Sequence, residues 1–148
     1  SANEQGTVYI AGEKGVLFRS DDGGETWVTL ESPYQGSYFG ALTGPNPDDV
    51  LVFGLQGNIF KSSDRGESWL KAKSKGTDGV MDGVLLGDKG SILVGNSGVV
   101  LTSKDGGANY TMQITKSREA ILAVETLPNG KLIMVGQGGV DLAAPSMK

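Results

Sequence analysis

Cysteine and histidine are both absent from the 148 residues. The first absence excludes disulfides, a thiol nucleophile and thiolate metal sites. The second removes the usual general base near neutral pH and the commonest zinc ligand. No stretch approaches the ~18 apolar residues of a membrane-spanning helix. No secretory leader is legible in a chain that starts Ser1-Ala2-Asn3-Glu4. No window keeps a helical period. Positive charge is also short: 13 Lys and Arg against 17 Asp and Glu give a net charge of −4. Bulk electrostatics therefore favour neither nucleic acid nor an anionic membrane surface. The expectation is a protein with no metal, no cofactor, no nucleic-acid partner and no inserted segment. Glycine, by contrast, is abundant, at 24 of 148 residues, about twice the ordinary share.

Much of that glycine sits in two periodic marks. Ser20-Asp21-Asp22-Gly23-Gly24-Glu25-Thr26-Trp27 recurs as Ser62-Ser63-Asp64-Arg65-Gly66-Glu67-Ser68-Trp69, and again, eroded, as Ser103-Lys104-Asp105-Gly106-Gly107-Ala108-Asn109-Tyr110. The leading serines are 42 and then 41 residues apart. Gly12-x-x-Gly15, Gly54-x-x-Gly57, Gly95-x-x-Gly98 and Gly136-x-x-Gly139 keep the same beat. In the first three, the leading glycine falls eight residues before the serine of the box. In the fourth, Ala144 stands where that serine would be. Two marks locked in phase near 40 residues define a repeat architecture.

Strand-like runs flank each octapeptide, so it reads as the turn of a β-hairpin. A short Asp carboxylate can accept hydrogen bonds from nearby backbone N–H groups. The glycine two positions on supplies a positive φ at little cost. The Ser and Thr hydroxyls can tie the two arms together, and the following aromatic is expected to bury its ring beneath the turn. Ser20, Asp22, Gly24 and Trp27, then Ser62, Asp64, Gly66 and Trp69, then Ser103, Asp105, Gly107 and Tyr110 are thus structural. A catalytic or metal-binding Asp has no reason to recur at this period.

Taken in order, strands are expected at 7–12, 16–20 and 27–31, then at 38–43, 50–54, 58–62 and 68–73. Further strands follow near 83–87, 91–95, 99–103 and 109–114, and then at 120–127, 131–136 and 139–142. The run Gly44 to Asp49 reads as a turn, and Lys71 to Asp82 and Thr115 to Glu119 read as charged linkers. Four short strands per ~41 residues make a propeller blade. The prediction is an all-β chain: a partial β-propeller of four-stranded antiparallel blades, about three and a half of them. The blades fall at about 7–31, 37–73, 80–114 and 120–148. The first lacks its innermost strand and the last its outermost. Propellers close to hide their edges, so the chain is expected to pair with a missing N-terminal half or with itself through open blade edges.

The octapeptide resembles the Asp-box, or BNR, repeat of propellers such as bacterial sialidases, sortilin-type receptors and some glucanases. The Gly-x-x-Gly spacing and the phrases Val8-Tyr9-Ile10-Ala11-Gly12, Val52-Phe53-Gly54 and Leu93-Val94-Gly95 most resemble the photosystem II stability/assembly factor family, which includes non-photosynthetic bacterial members. The resemblance implies a non-catalytic scaffold that helps assemble a membrane or envelope complex from the periplasmic or lumenal side. It also implies one face that carries the Gly-x-x-Gly turns and the blade linkers. Lys14, Gln56, Asn96, Ser97 and Gln137 fall there, with Tyr34, Gln35, Tyr38, Lys75, Asp78, Asp82, Lys116, Arg118 and Glu119. Variable loops on a rigid frame are where binding resides. Tyr34, Tyr38 and Arg118 lead, because Tyr and Arg dominate hot spots.

The alternative is a glycan-active or glycan-binding propeller. A sialidase would need three converging arginines, but Arg19 precedes a box and Arg65 lies inside one, and they are not expected to cluster with each other or with Arg118. A glycosidase could use two carboxylates several ångströms apart, for which Asp78, Asp82 and Glu119 are the candidates. Asp21-Asp22-Gly23-Gly24 lacks the ligand run of a calcium loop.

Overall fold

The computed structural model describes residues 1–44 and 46–143. Pro45, within the expected turn, and residues 144–148, including Ala144, lie outside the described residues. The described residues form fourteen strands in four antiparallel sheets, taken up consecutively as a β-propeller. Blade 1 holds β1 (Val8–Ala11), β2 (Leu17–Ser20) and β3 (Val28–Thr29). Blade 2 holds β4 (Tyr38–Thr43), β5 (Val50–Gly54), β6 (Ile59–Ser62) and β7 (Leu70–Lys71). Blade 3 holds β8 (Val80–Leu86), β9 (Gly90–Gly95), β10 (Val99–Ser103) and β11 (Thr111–Ile114). Blade 4 holds β12 (Ile121–Thr126), β13 (Leu132–Gly136) and β14 (Gly139–Ala143). Single 3-10 turns join β1 to β2 at Glu13–Gly15, β5 to β6 at Leu55–Gly57 and β9 to β10 at Asn96–Gly98.

The core lies between blades, where sheet faces meet. Tyr9, Leu17 and Leu30 of blade 1 pack on Tyr38, Val50, Val52 and Phe60 of blade 2. Phe53, Ile59 and Ala72 of blade 2 pack on Val80, Leu93, Leu101 and Tyr110 of blade 3. Val84, Ile92 and Val94 of blade 3 pack on Ile121, Val124 and Leu132 of blade 4. β5 and β9 are buried along their whole length, because a middle strand is covered on both faces. They therefore read as continuous apolar runs.

Each box is a closed hydrogen-bond unit. The Ser20 hydroxyl donates to Asp22 Oδ1 at 2.7 Å and accepts the Gly24 N–H at 2.8 Å. Asp22 also accepts the Thr26 N–H at 2.9 Å and the Thr26 hydroxyl at 2.6 Å. Asp64 repeats the scheme with Ser62 and Ser68. Asp105 repeats it with Ser103, Asn109 replacing the second hydroxyl through its side-chain amide at 2.6 Å. Gly24, Gly66 and Gly107 all take a positive φ. The box tip is then pinned to the turn that enters the next-inner strand of its own blade, before β1, β5 or β9: Gly23 N–H to Gly6 O, Arg65 N–H to Asp48 O, and Gly106 N–H to Lys89 O, at 2.8–3.0 Å.

Several expectations are corrected. The outer strands are shorter than 27–31, 68–73 and 109–114, because the box holds the chain until the residue after its aromatic. β8 starts at Val80, so the linker does not run to Asp82. The Asp82 carboxylate accepts the Val124 N–H of blade 4 at 2.9 Å, which gives a charged residue a place inside a strand. The box aromatic is not always buried: Trp27 is 40% exposed, Trp69 half-buried and Tyr110 7% exposed. Trp69 and Tyr110 pack against the preceding blade, whereas no described residues form a blade against Trp27. Gly136-x-x-Gly139 closes as a tighter hairpin in which Gly136 pairs with Gly139, without the 3-10 turn of the other three. Beside β1, Ala2 bridges Val8, and Ser1 O accepts the Tyr9 N–H at 2.8 Å, so residues 1–3 flank the inner edge of blade 1.

Hydrogen bonds from Thr26, Ser68 and Asn109 hold Asp22, Asp64 and Asp105 down at about 2, against an ordinary 3.8. A lowered folded-state value means stability that is fully present above the unfolded value and lost as pH falls through the folded one. Melting temperature should therefore hold at mildly acidic pH and drop steeply between about pH 4 and 2. Asp64→Asn should melt lower at neutral pH and show a shallower acid drop in thermal scans by circular dichroism.

Candidate protein-binding face

The face opposite the boxes is built by the paired glycines. A Cβ on Gly54 would overlap the backbone of Ser37–Tyr38, one on Gly95 that of Gly79–Val80, and one on Gly136 that of Ala120–Ile121. These first glycines admit the linker that enters their own blade. The second glycines meet the linker that leaves it: Gly15 faces Tyr34–Gln35, Gly57 faces Gly76–Asp78, and Gly98 faces Thr115 and Arg118–Glu119. Backbone bonds then lock the linkers down, including Gly15 N–H to Gly36 O, Leu55 N–H to Ser37 O, Asn96 N–H to Gly79 O and Gln137 N–H to Ala120 O, at 2.8–3.0 Å. Lys14, Gln56 and Ser97 occupy equivalent turn positions with φ of 54–58°, a left-handed conformation that costs of order 1–3 kcal/mol in a non-glycine residue. All three are exposed.

On this frame, Tyr34 lies half-buried. Its ring stacks on Phe60 at 6.1 Å, and its hydroxyl donates to Gln56 Oε1 at 3.3 Å. Tyr34 and Gln56 therefore form one joint surface. Tyr38 leaves the candidate set: it is 3% exposed, its hydroxyl shares a hydrogen bond with Ser32 at 3.0 Å, and burial pushes its phenol up. Its place in the first strand turns it into the core between blades 1 and 2. Asp82 is engaged by Val124, as described. Lys75, Lys116, Arg118 and Glu119 are exposed and Asp78 is half-buried. A groove of about 250 Å³ beside Thr115, Glu119 and Gly138 marks the blade 4 end of the face.

The inner strands add residues that sequence reading missed. β4, β8 and β12 each carry a β-bulge at the same register, between Tyr38 and Gly40, Val80 and Asp82, and Ile121 and Ala123. The extra residue is Phe39, Met81 or Leu122. Bulges re-aim a side chain. Phe39 and Leu122 are exposed and Met81 is half-exposed. Their spacing of 42 and 41 residues follows the beat of the boxes and was the signal available.

Ion pairing among the described residues is confined to the box side, where Lys89 and Lys104 nonetheless form none. The three pairs all involve Asp21 or Glu67. Arg19 and Arg65 both reach Asp21, and Arg19 Nη1 also donates to the Arg65 carbonyl at 2.6 Å. The expectation that these arginines stay apart is thus corrected: adjacent boxes bring them together across the blade 1–blade 2 junction. Arg118, in the linker between blades 3 and 4, does not join them. On the linker side, Lys14, Lys75, Asp78, Lys116, Arg118 and Glu119 form no ion pair among the described residues. Of the three candidate carboxylates, Asp78 is half-buried, Asp82 is committed to backbone, and Glu119 lies against the Gly138 hairpin.

These features define an Asp-box β-propeller whose linker face presents unpaired charges and aromatic surface. The chain belongs to the family described as Photosynthesis system II assembly factor YCF48, whose model matches residues 3–142. Among solved structures it is similar to YCF48 bound to D1 peptide, at 18% identity and TM-score 0.70 over 97% of this chain and 48% of that one. It is also similar to YCF48 from Cyanidioschyzon merolae, at 18% identity and TM-score 0.73 over 100% and 53%. An ancestral GH74 enzyme shares the fold at 16% identity and TM-score 0.81 over 97% and 22%. The chain thus spans about half the length, or less, of these structures. A search of curated protein sequences gives no match.

Gly95→Ala should lower stability by about 1–3 kcal/mol in urea denaturation through overpacking. Gly12→Ala should be neutral, since the nearest atom to an added Cβ is 4.0 Å away.

Proposed function

We propose that this protein is a non-catalytic binding and assembly factor that docks a protein through its linker face. Its client is a subunit of a membrane or envelope complex, engaged from the extracytoplasmic side, or from the lumen in a photosynthetic host. The observation that carries this reading is the fate of the three arginines. Arg19 and Arg65 on the box face are taken up by Asp21 and Glu67, whereas Arg118 on the linker face is exposed, forms no ion pair among the described residues and is free to pair with a client, beside Lys75 and Lys116. Charged and aromatic groups on a rigid frame suit recognition at little ordering cost. Phe39, Met81 and Leu122 supply apolar contact beside them. Membership of an assembly-factor family, and a YCF48 structure described as bound to D1 peptide, support a protein client. The same proposal has the chain completed by a missing N-terminal half or by self-association through its open blade edges.

The test uses the tagged chain as bait on detergent-solubilised membranes of the source organism. A membrane complex should co-purify, and Tyr34→Ala with Arg118→Ala should reduce recovery at least tenfold, as expected for two hot-spot residues at ~1.4 kcal/mol or more in total. Lys104→Ala on the box face should leave recovery unchanged. Equal loss in all variants would refute the assignment of the face. Glycan turnover abolished by Asp78→Asn or Glu119→Gln would establish the glycosidase alternative instead.

A further inference from the structure

We propose that the box-side rim between blades 2 and 3 is a second docking site, and that it takes a protein segment carrying a carboxylate next to an apolar side chain. The site lies away from the linker face and does not depend on the function proposed above.

The junction of blades 1 and 2 shows what this rim looks like when it is closed. There Arg19 of blade 1 reaches across to box 2. Its guanidinium donates to the Arg65 carbonyl at 2.6 Å, and it pairs with Glu67 at 3.2 Å and with Asp21 of its own box at 3.1 Å. One repeat later, Lys61 stands where Arg19 does and Ser63 where Asp21 does. Gly106 takes the place of Arg65, and Ala108 that of Glu67. The cation is retained, and both of its carboxylate partners are gone.

Lys61 still points toward the next box. Side chains alternate along a strand, and Ile59, two residues before Lys61, packs on blade 3. A Cβ on Gly106 would lie 3.1 Å from Lys61 Nζ. The ammonium therefore sits at the tip of box 3, as the Arg19 guanidinium sits at the tip of box 2. It forms no ion pair among the described residues. Open space stands in for the missing side chains: a groove of about 460 Å³ runs past Lys61, Ser63, Leu70, Lys73 and Ala108.

The lining describes the occupant. Leu70 is the cross-strand partner of Lys61, and at 76% it is the most exposed large apolar side chain among the described residues. Lys73 is exposed farther along, its backbone N–H bonded to Ala108 O and its carbonyl to the Tyr110 N–H. Lys71 is not part of the cation set, because its ammonium lies over the Phe60 ring at 5.9 Å. The carboxylate in the lining, Asp64, is already engaged by Ser62 and Ser68. β7 is the outer edge of its sheet, so an extended segment can lie along it. A ligand carboxylate at Lys61 replaces the one that Glu67 supplies to Arg19, and its neighbouring apolar side chain covers Leu70. Charge complementarity of this kind sets partner choice more than raw affinity.

The test is a titration of the isotope-labelled chain, followed by NMR, with the peptide Gly-Glu-Leu-Glu-Gly-Glu-Leu-Glu-Gly. The amide signals of Lys61, Leu70, Lys73 and Ala108 should shift and saturate, and the same peptide with Gln for Glu should not shift them. Lys61→Ala should weaken binding about fivefold, the scale of one exposed ion pair. Ala108→Glu restores the internal partner and should weaken it equally, with the rest of the spectrum unchanged. Lys104→Ala, on the same side but outside the groove, should bind as the parent does. No saturable shift at these residues, equal binding of the Gln peptide, or unchanged affinity in both groove variants would overturn the proposal. Shifts with polygalacturonate but not with the peptide would overturn it in favour of an acidic glycan.

Discussion

The structure depends on a fully buried serine hydroxyl. Ser20, Ser62 and Ser103 are each 1% exposed, and each satisfies its hydroxyl completely inside its own turn. The oxygen accepts a glycine N–H, and the proton goes to an Asp carboxylate. A buried hydroxyl left unpaired costs about 1–3 kcal/mol, so the aspartate is required wherever the serine is buried. The carboxylate spends its remaining capacity on the far arm of the turn. The result fixes the hairpin, delays the outer strand and anchors the box tip to the neighbouring turn of the blade.

The paired glycines perform the corresponding task at the other end of each blade. At Gly15, Gly54, Gly95 and Gly136 they let the linkers pass at backbone contact, where a side chain would overlap a carbonyl. Boxes at one end and glycine contacts at the other hold each sheet at both rims. Its broad faces are left to apolar packing with the next blade. Specificity can therefore vary in the linkers without disturbing the frame. Arg118 shows this: it sits in a left-handed conformation within a linker that Thr115 and Gly98 tie down, and its side chain remains exposed.

Arg65 shows how a box can absorb a departure from its pattern. It stands where the other two boxes have glycine and takes a φ of 62°. Its carbonyl accepts Arg19 Nη1, and its guanidinium reaches Asp21. The junction between blades 1 and 2 thereby gains an ion-pair cluster. That cluster is partly exposed, so its worth is small beside the apolar contact beneath it.

The sequence alone was enough for the repeat, the all-β class, and the hairpin role of Asp22, Asp64 and Asp105; the paired glycines showed as a periodic mark, and their close backbone approach came from the structure. These are local or periodic matters: a turn's chemistry lies within eight residues, and a 41-residue beat can be counted. Tertiary structure alone decided which box aromatic is buried, because Trp27 and Tyr110 differ only in whether a preceding blade stands against them. It decided that Tyr38 belongs to the core, that Asp82 bonds to Val124, and that Arg19 and Arg65 meet at Asp21. Val124 lies 42 residues from Asp82 and Arg65 lies 46 from Arg19, while Tyr38 is buried by side chains of two sheets, and no local pattern encodes the distance between blades.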